Sequence, residues 1–237
     1  MSVLEIKNVV KSFGNLRAVD DVSFSLEQGD NLAVIGESGS GKTTLAKMMM
    51  GLIQPDAGYI KAEKYSLQMV FQDPNLSLDP LWNVQDILKE GLWRDRTLSA
   101  NRIEEKLEQI LIAVGLSSQV LGRFPHEFSG GERQRIAIAR ALLASPKVLV
   151  LDEAVSALDT LVQKQIIELL KKLKQDFNLT YVFISHNLRL VRNFSDKIAV
   201  MYQGKIVEEG QVQKVLHSPV HLYTQQLLQA AFHRSLK

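Results

Sequence analysis

With 237 residues, 46 % of them hydrophobic and 23 % charged, the chain is long enough to bury a sizeable core and lies close to globular averages, so neither disorder nor a membrane-embedded protein is indicated. A formal charge of +2, with no long basic run, does not point to nucleic acid or anionic lipid as the main partner. The absence of cysteine excludes disulfides, thiolate metal sites and cysteine-held iron–sulfur clusters, and agrees with a reducing cytosol.

Residues 3–9 alternate apolar and polar side chains like a strand, and the N-terminus shows neither the apolar stretch nor the small-residue cleavage site of an export signal. Strands are also expected at 22–27 and 31–35, the latter an apolar run ending in glycine. A helix is expected over 42–52, stopped by the turn-forming cluster at 54–58. After a strand at 67–71, Pro74 and Pro80 mark a long irregular connection. The segment 84–143 reads as mostly helical, with Ile103, Leu107, Ile110, Leu111 and Val114 at spacings of three and four, and forms an insertion. Strand and helix then alternate: strand 147–151, helix 161–177, strand 180–184, strands 197–202 and 205–208. This order implies a largely parallel sheet covered by helices. The most apolar segments, around 136–151 and 198–202, are charge-interrupted or too short to span a bilayer, so membrane contact is expected to be peripheral.

Between the strand ending at Ile35 and the helix beginning at Lys42 lies Gly36-Glu37-Ser38-Gly39-Ser40-Gly41-Lys42-Thr43, a G-x-x-x-x-G-K-[ST] pattern in the strand–loop–helix context that it requires. Glycines let successive N–H groups turn inward around phosphate oxygens at a helix start whose dipole favours negative charge. Lys42 adds a cation for the outer phosphates, and Thr43 a hydroxyl for Mg²⁺. The apolar run 148–151 ends in Asp152 and Glu153, where a parallel strand would emerge beside the phosphate site. Asp152 suits a metal-linked role, and Glu153 the activation of an attacking water. Ser129-Gly130-Gly131-Glu132 opens a second helix, either as an ordinary N-cap or as a phosphate site serving another subunit. His217 and His221 lack a third ligand and read as an exposed polar turn, so no metal site is expected there.

These loops, the carboxylate pair and their order resemble the ATP-binding subunits of ABC transporters over essentially the whole chain. The resemblance makes residues 36–44, including Thr44, the Walker A loop; Gln72 the Q-loop residue, a γ-phosphate sensor and metal ligand beside Thr43 and Asp152; Ser129 to Glu132 the signature; and Asp152 and Glu153 the end of Walker B. It makes Asp159 the D-loop residue, His186 the switch histidine, and Phe13 the aromatic that stacks on adenine. It implies a P-loop α/β core with a mainly parallel sheet, an N-terminal antiparallel β subdomain and an inserted helical subdomain. The division would be a core at 1–82 and 146–237 with helices at 83–145. The cofactors implied are ATP and Mg²⁺. Two subunits would dimerise head to tail, the signature of one closing over ATP held by the other, and drive two membrane-spanning permease subunits from the cytoplasmic face of the cell membrane.

Within the family, Phe71-Gln72-Asp73-Pro74-Asn75-Leu76-Ser77-Leu78-Asp79-Pro80, Phe124-Pro125-His126-Glu127-Phe128 and Ser218-Pro219-Val220-His221-Leu222-Tyr223-Thr224 resemble the di- and oligopeptide/nickel importer branch. That branch implies a heterodimer of two ATPase chains, with a homodimer as the alternative, and an extracytoplasmic solute-binding protein acting indirectly. Glu132 replaces the usual Gln, Phe128 the commonest Leu, and Leu222 a proline. The alternatives are an exporter subunit or a soluble ABC-type ATPase. The long coiled coil, zinc-binding cysteines or tandem ATPase units of the nucleic-acid and ribosome types are lacking, so no nucleic-acid partner is expected.

Overall fold

The computed structural model describes residues 2–95 and 97–233. Strands β1 (Ser2–Phe13) and β2 (Leu16–Glu27) form a hairpin longer than the alternation at 3–9 and 22–27 suggests. Asn8 at φ 48° and Asp21 at φ 56° interrupt the pleat, and Asn8 Nδ2 donates to Asp21 Oδ1 at 2.8 Å. Register shifts at such irregularities break the two-residue period while the pairing continues.

The fully buried β3 (Asn31–Ile35) feeds through a loop into α1 (Lys42–Met49). This helix ends before the expected residue 52 because Gly51, at φ 71°, reverses the chain. Leu52 N–H then donates to the Lys47 carbonyl and Gly51 N–H to that of Met48, which satisfies the last turn. Residues 54–58 were expected only as a turn, yet β4 (Ala57–Ala62) pairs antiparallel with β1, Leu4 opposite Ala62 and Lys7 opposite Tyr59. Its side chains are largely exposed, so it carries no hydrophobic signature.

After β5 (Leu67–Val70), the helical stretch resolves into α2 (Pro74–Ser77), α3 (Val84–Glu90), α4 (Ala100–Ala113) and α5 (Gly130–Leu143), with 3₁₀ turns at Ser118–Val120 and Pro125–Glu127. There follow β6 (Val148–Asp152), α6 (Thr160–Asp176), β7 (Thr180–Ile184), α7 (Leu188–Phe194), β8 (Lys197–Tyr202), β9 (Lys205–Gln211), α8 (Val212–His217) and α9 (Leu222–His233). α7 was not expected from the sequence. At seven residues it is too short for a helical period to stand out, and Asn187 Oδ1 caps it by accepting the Arg189 N–H at 3.1 Å.

Among the described residues the strands form a three-stranded antiparallel sheet, β2-β1-β4, and a six-stranded sheet, β5-β6-β7-β3-β8-β9. The larger sheet is parallel except for β9. Alternate residues of its central strands feed two cores. Ala33, Ile35, Leu149, Leu151, Tyr181 and Phe183 pack with Ile136, Ile166, Leu170 and Val191 of the helices. Leu32, Val34, Val148, Val150, Val182 and Ile184 pack with Leu45 of α1 and with Leu4, Ile6, Val22 and Leu26 of the hairpin. Burial on both faces is why these strands read as continuous apolar runs. At roughly 1.5–3 kcal/mol for each large apolar side chain fully buried, these two layers dominate the favourable side of folding. Both put the carboxyl ends of β3, β6 and β7 side by side, where open α/β sheets bind ligands. No helix among the described residues is long and apolar enough to cross a membrane.

Candidate active site

The loop between β3 and α1 closes tightly on the neighbouring strands. A side chain at Gly36 would collide with the Met201 carbonyl oxygen of β8, and one at Gly41 with the Ala18 carbonyl oxygen of β2. Gly39 (φ 82°) and Gly41 (φ 106°) also adopt left-handed backbone that disfavours any other residue. Ser38 is exposed at the turn, whereas Ser40 is buried. Lys42 folds back over the loop it follows, its Nζ donating to the carbonyls of Gly36 at 2.8 Å and Glu37 at 2.7 Å and to Ser40 Oγ at 3.2 Å. Burial holds the Lys42 ammonium below its usual pKa, opposed by the carboxylates of Glu153, Asp152 and Glu37. Thr43 and Thr44 begin the first turn of α1.

Asp152 ends β6 and is buried. Burial pushes its carboxyl above the ordinary value and Glu153 adds to this, while the Thr43 hydroxyl and the Lys42 charge oppose it. Its Oδ1 is buried without a hydrogen-bond partner. Glu153 stops the strand by taking φ 48°, with its N–H donating to the Ile184 carbonyl at 3.0 Å. Since β6 and β7 are neighbours in register, with Asp152 opposite Ile184, the segment after β7 brings His186 Nδ1 to 3.4 Å from Glu153 Oε1. Gln72, just beyond β5, lines a cleft of about 750 Å³ shared with Thr43 and Asp152, whose walls include Phe71, Ser77, Glu90, Trp93 and Arg140. Lys42, Thr43, Gln72, Asp152, Glu153 and His186 therefore converge at one end of the sheet.

Phe13 presents a half-exposed ring beside the turn of the β1–β2 hairpin, with Lys11 Nζ 5.7 Å from its centre. The same hairpin touches the loop through Ala18.

A second group stands on α5 and α6. Ser129 caps α5, its Oγ accepting the Glu132 N–H at 3.3 Å, while Glu132 Oε2 accepts both the Ser129 N–H at 2.9 Å and the Ser129 hydroxyl at 2.7 Å. The Ser129 hydroxyl and N–H hold the Glu132 carboxyl below its usual range, and the reciprocal bonds complete a capping box. A side chain on Gly131 would come within 2.6 Å of Val162 Cγ1, and one on Gly130 within 3.3 Å of Leu158. Asp159 caps α6 by accepting the Leu161 and Val162 N–H groups, each at 3.0 Å. Ser129, Gly130, Gly131, Glu132 and Asp159 thus form a patch at the starts of α5 and α6, whereas the phosphate-type loop joins β3 to α1.

Three participants, Ala18, Met201 and Tyr223, lie outside the sequence reading of the site. The carbonyls of Ala18 and Met201 close on the loop glycines, and the Tyr223 phenol accepts the Glu37 N–H at 2.9 Å. Tyr223 lies in the family-like segment 218–224, where a lone aromatic residue is the signal that the sequence offers.

The model of the ABC transporter family matches residues 19–156. Similar proteins include the probable D,D-dipeptide transport ATP-binding protein DdpF of Escherichia coli, 47 % identical over 92 % of this chain and 71 % of its own. The oligopeptide transport ATP-binding protein AppF of Bacillus subtilis is 42 % identical over 96 % of this chain and 77 % of its own. Among solved structures, the dimeric post-hydrolysis state of the ATP-binding cassette MJ0796 bound to ADP and Pi superimposes with a TM-score of 0.78 at 26 % identity, covering 88 % of this chain and 98 % of that one. Bearing the glycine loop, the carboxylate pair and the second glycine-rich helix start on this shared fold, the chain belongs to the ABC transporter family as an ATP-hydrolysing subunit.

Proposed function

We propose that this subunit powers the import of peptides through separate permease subunits, working at the cytoplasmic face of the cell membrane. The carrying observation is the convergence of Lys42, Asp152, Glu153 and His186 at the carboxyl ends of β3, β6 and β7. Support for peptide cargo, in preference to nickel, comes from relatives named for dipeptide and oligopeptide transport.

In this reading residues 36–44 cradle the ATP phosphates, Lys42 leaves its carbonyl partners to meet the outer phosphates, and Phe13 stacks on the base. Glu153 accepts the proton of the attacking water, His186 holds that carboxylate and the last phosphate in place, and Gln72 senses that phosphate from the cleft. The donor set fits Mg²⁺: the Thr43 hydroxyl, the unpartnered Asp152 Oδ1 and the Gln72 side chain are oxygen donors on one cleft. Bound there, Mg²⁺ would neutralise phosphate charge. Ser129 to Glu132 and Asp159, on separate helices, serve the ATP held by a second ATPase chain, which we take to be a different chain. Nucleic acid has no part in this reading. We place the nucleotide core at 1–82 and 146–237 and the helical part at 83–145, with the region 76–93, which supplies Ser77, Glu90 and Trp93 to the cleft, near the permeases. An extracytoplasmic solute-binding protein delivers the cargo to them.

The test is purification of the tagged chain from its own membranes. The expected product contains a second, different ATPase chain and two permeases, and its phosphate release stops with EDTA and returns with Mg²⁺. Recovery of self-paired chains alone would overturn the heterodimer. Undiminished turnover in EDTA would overturn the metal assignment.

A further inference from the structure

One contact ties the far end of the chain to the phosphate loop. Tyr223, in the first turn of α9, is buried, and its phenolic oxygen accepts the Glu37 N–H across 186 positions of sequence. Its ring stacks on Tyr202 at the end of β8, centroids 4.1 Å apart and planes at 27°. The turn that delivers it is itself fastened to β9. Glu208 accepts the Val220 N–H at 2.8 Å and the His221 N–H at 3.0 Å, and His221 Nδ1 accepts the Tyr223 N–H at 3.2 Å.

The peptide linking Gly36 to Glu37 is therefore held from both ends. Its N–H is bound to Tyr223 and its carbonyl to Lys42 Nζ. Rotating that peptide would break both bonds at once. It needs such a restraint, because Gly36 (φ 152°) has no side chain to limit its backbone, and glycine loses more conformational freedom on ordering than any other residue. An aromatic anchored by stacking is a stiff acceptor that costs little entropy to hold in place.

We propose that Tyr223 is a positioning residue for nucleotide binding, holding the Gly36–Glu37 peptide through the Glu37 N–H so that the loop keeps its shape when Lys42 swings from the Gly36 carbonyl to phosphate. This rests on the reading of residues 36–44 as the ATP cradle.

Tyr223→Phe keeps the ring, its burial and its stacking and removes only the acceptor. The full chain is titrated with a fluorescent ATP analogue and Mg²⁺ and its thermal midpoint measured, with Tyr202→Phe as a matched change one ring away. A net hydrogen-bond contribution corresponds to a rise of about 3- to 10-fold in Kd for Tyr223→Phe. The thermal midpoint should stay near that of wild type, and in the assembled transporter KM for ATP should rise with kcat little changed. Tyr202→Phe should bind like wild type. Equal affinity of Tyr223→Phe and wild type would overturn the inference, as would equal weakening by both variants in step with lost stability. Wild-type chain that binds no nucleotide would instead overturn the reading of the loop, and the inference with it.

Discussion

Replacing Glu153 by Gln is expected to lower kcat for ATP hydrolysis by about 10²- to 10⁴-fold while leaving MgATP bound, because a positioned general base contributes about that much. The two side chains have nearly the same shape, and Glu153 is held by backbone bonds, with its N–H on Ile184 and its carbonyl accepting from Ser156, which the substitution does not touch. Folding should be little affected. The charge change acts on two neighbours in a known direction. Glu153 raises the pKa of both Asp152 and Lys42, so its neutralisation makes Asp152 easier to ionise and lowers the negative charge facing incoming phosphates. Nucleotide affinity is thus expected to hold or rise as turnover collapses. Parallel measurement of phosphate release and of nucleotide binding separates the two. Undiminished turnover would reduce Glu153 to a strand end that pairs with His186.

The second large effect is expected at Gly41. Alanine there must adopt φ 106° and drive a methyl group onto the Ala18 carbonyl oxygen, with Met201 Cε at 2.7 Å. The Met201 side chain can move, but the Ala18 carbonyl is main chain of β2, at a bulge bracketed by the Lys11–Val19 and Ser12–Arg17 pairs, and gives way less readily. Backbone strain and overpacking together cost about 2–5 kcal/mol, a large part of a typical domain's stability of about 5–15 kcal/mol. For a chain of this size that corresponds to a fall in thermal midpoint of about 5–15 °C. Nucleotide binding should be lost with it, since Gly41 sets the start of α1 and the direction from which Lys42 returns. Gly39→Ala makes the comparison, because Gly39 faces open space at φ 82° and bears only the conformational cost, about 1–2 kcal/mol. Thermal unfolding of the two variants side by side checks this, and equal losses would mean that the contact with Ala18 carries no energy.

The strands of the larger sheet were legible because β3, β6 and β7 are buried on both faces and show unbroken apolar runs. β4 was not, since an exposed strand on the edge of a small sheet displays little that a turn would not. The length of the β1–β2 hairpin was hidden by Asn8 and Asp21, whose left-handed backbone breaks the alternation without ending the pairing. The site divides in the same way. Residues 36–43 and the Asp152-Glu153 pair are contiguous, and their chemistry can be read from spacing alone. The meeting of His186 with Glu153 depends on which strand lies beside β6, which the family resemblance implied and local pattern does not contain. Tyr223 reaches Glu37 only through the packing of α9 against β8 and β9, a relation with no local trace.

Peptide uptake by inside-out membrane vesicles cannot report import, so the most direct measurement uses proteoliposomes holding the complete transporter, ATP and Mg²⁺ inside, and labelled oligopeptide with the solute-binding protein outside. Wild type is expected to accumulate peptide in proportion to the ATP it hydrolyses, and Glu153→Gln to do neither. Peptide accumulation that persists in Glu153→Gln, or ATP hydrolysis by wild type with no peptide moved, would contradict a peptide importer driven from this site.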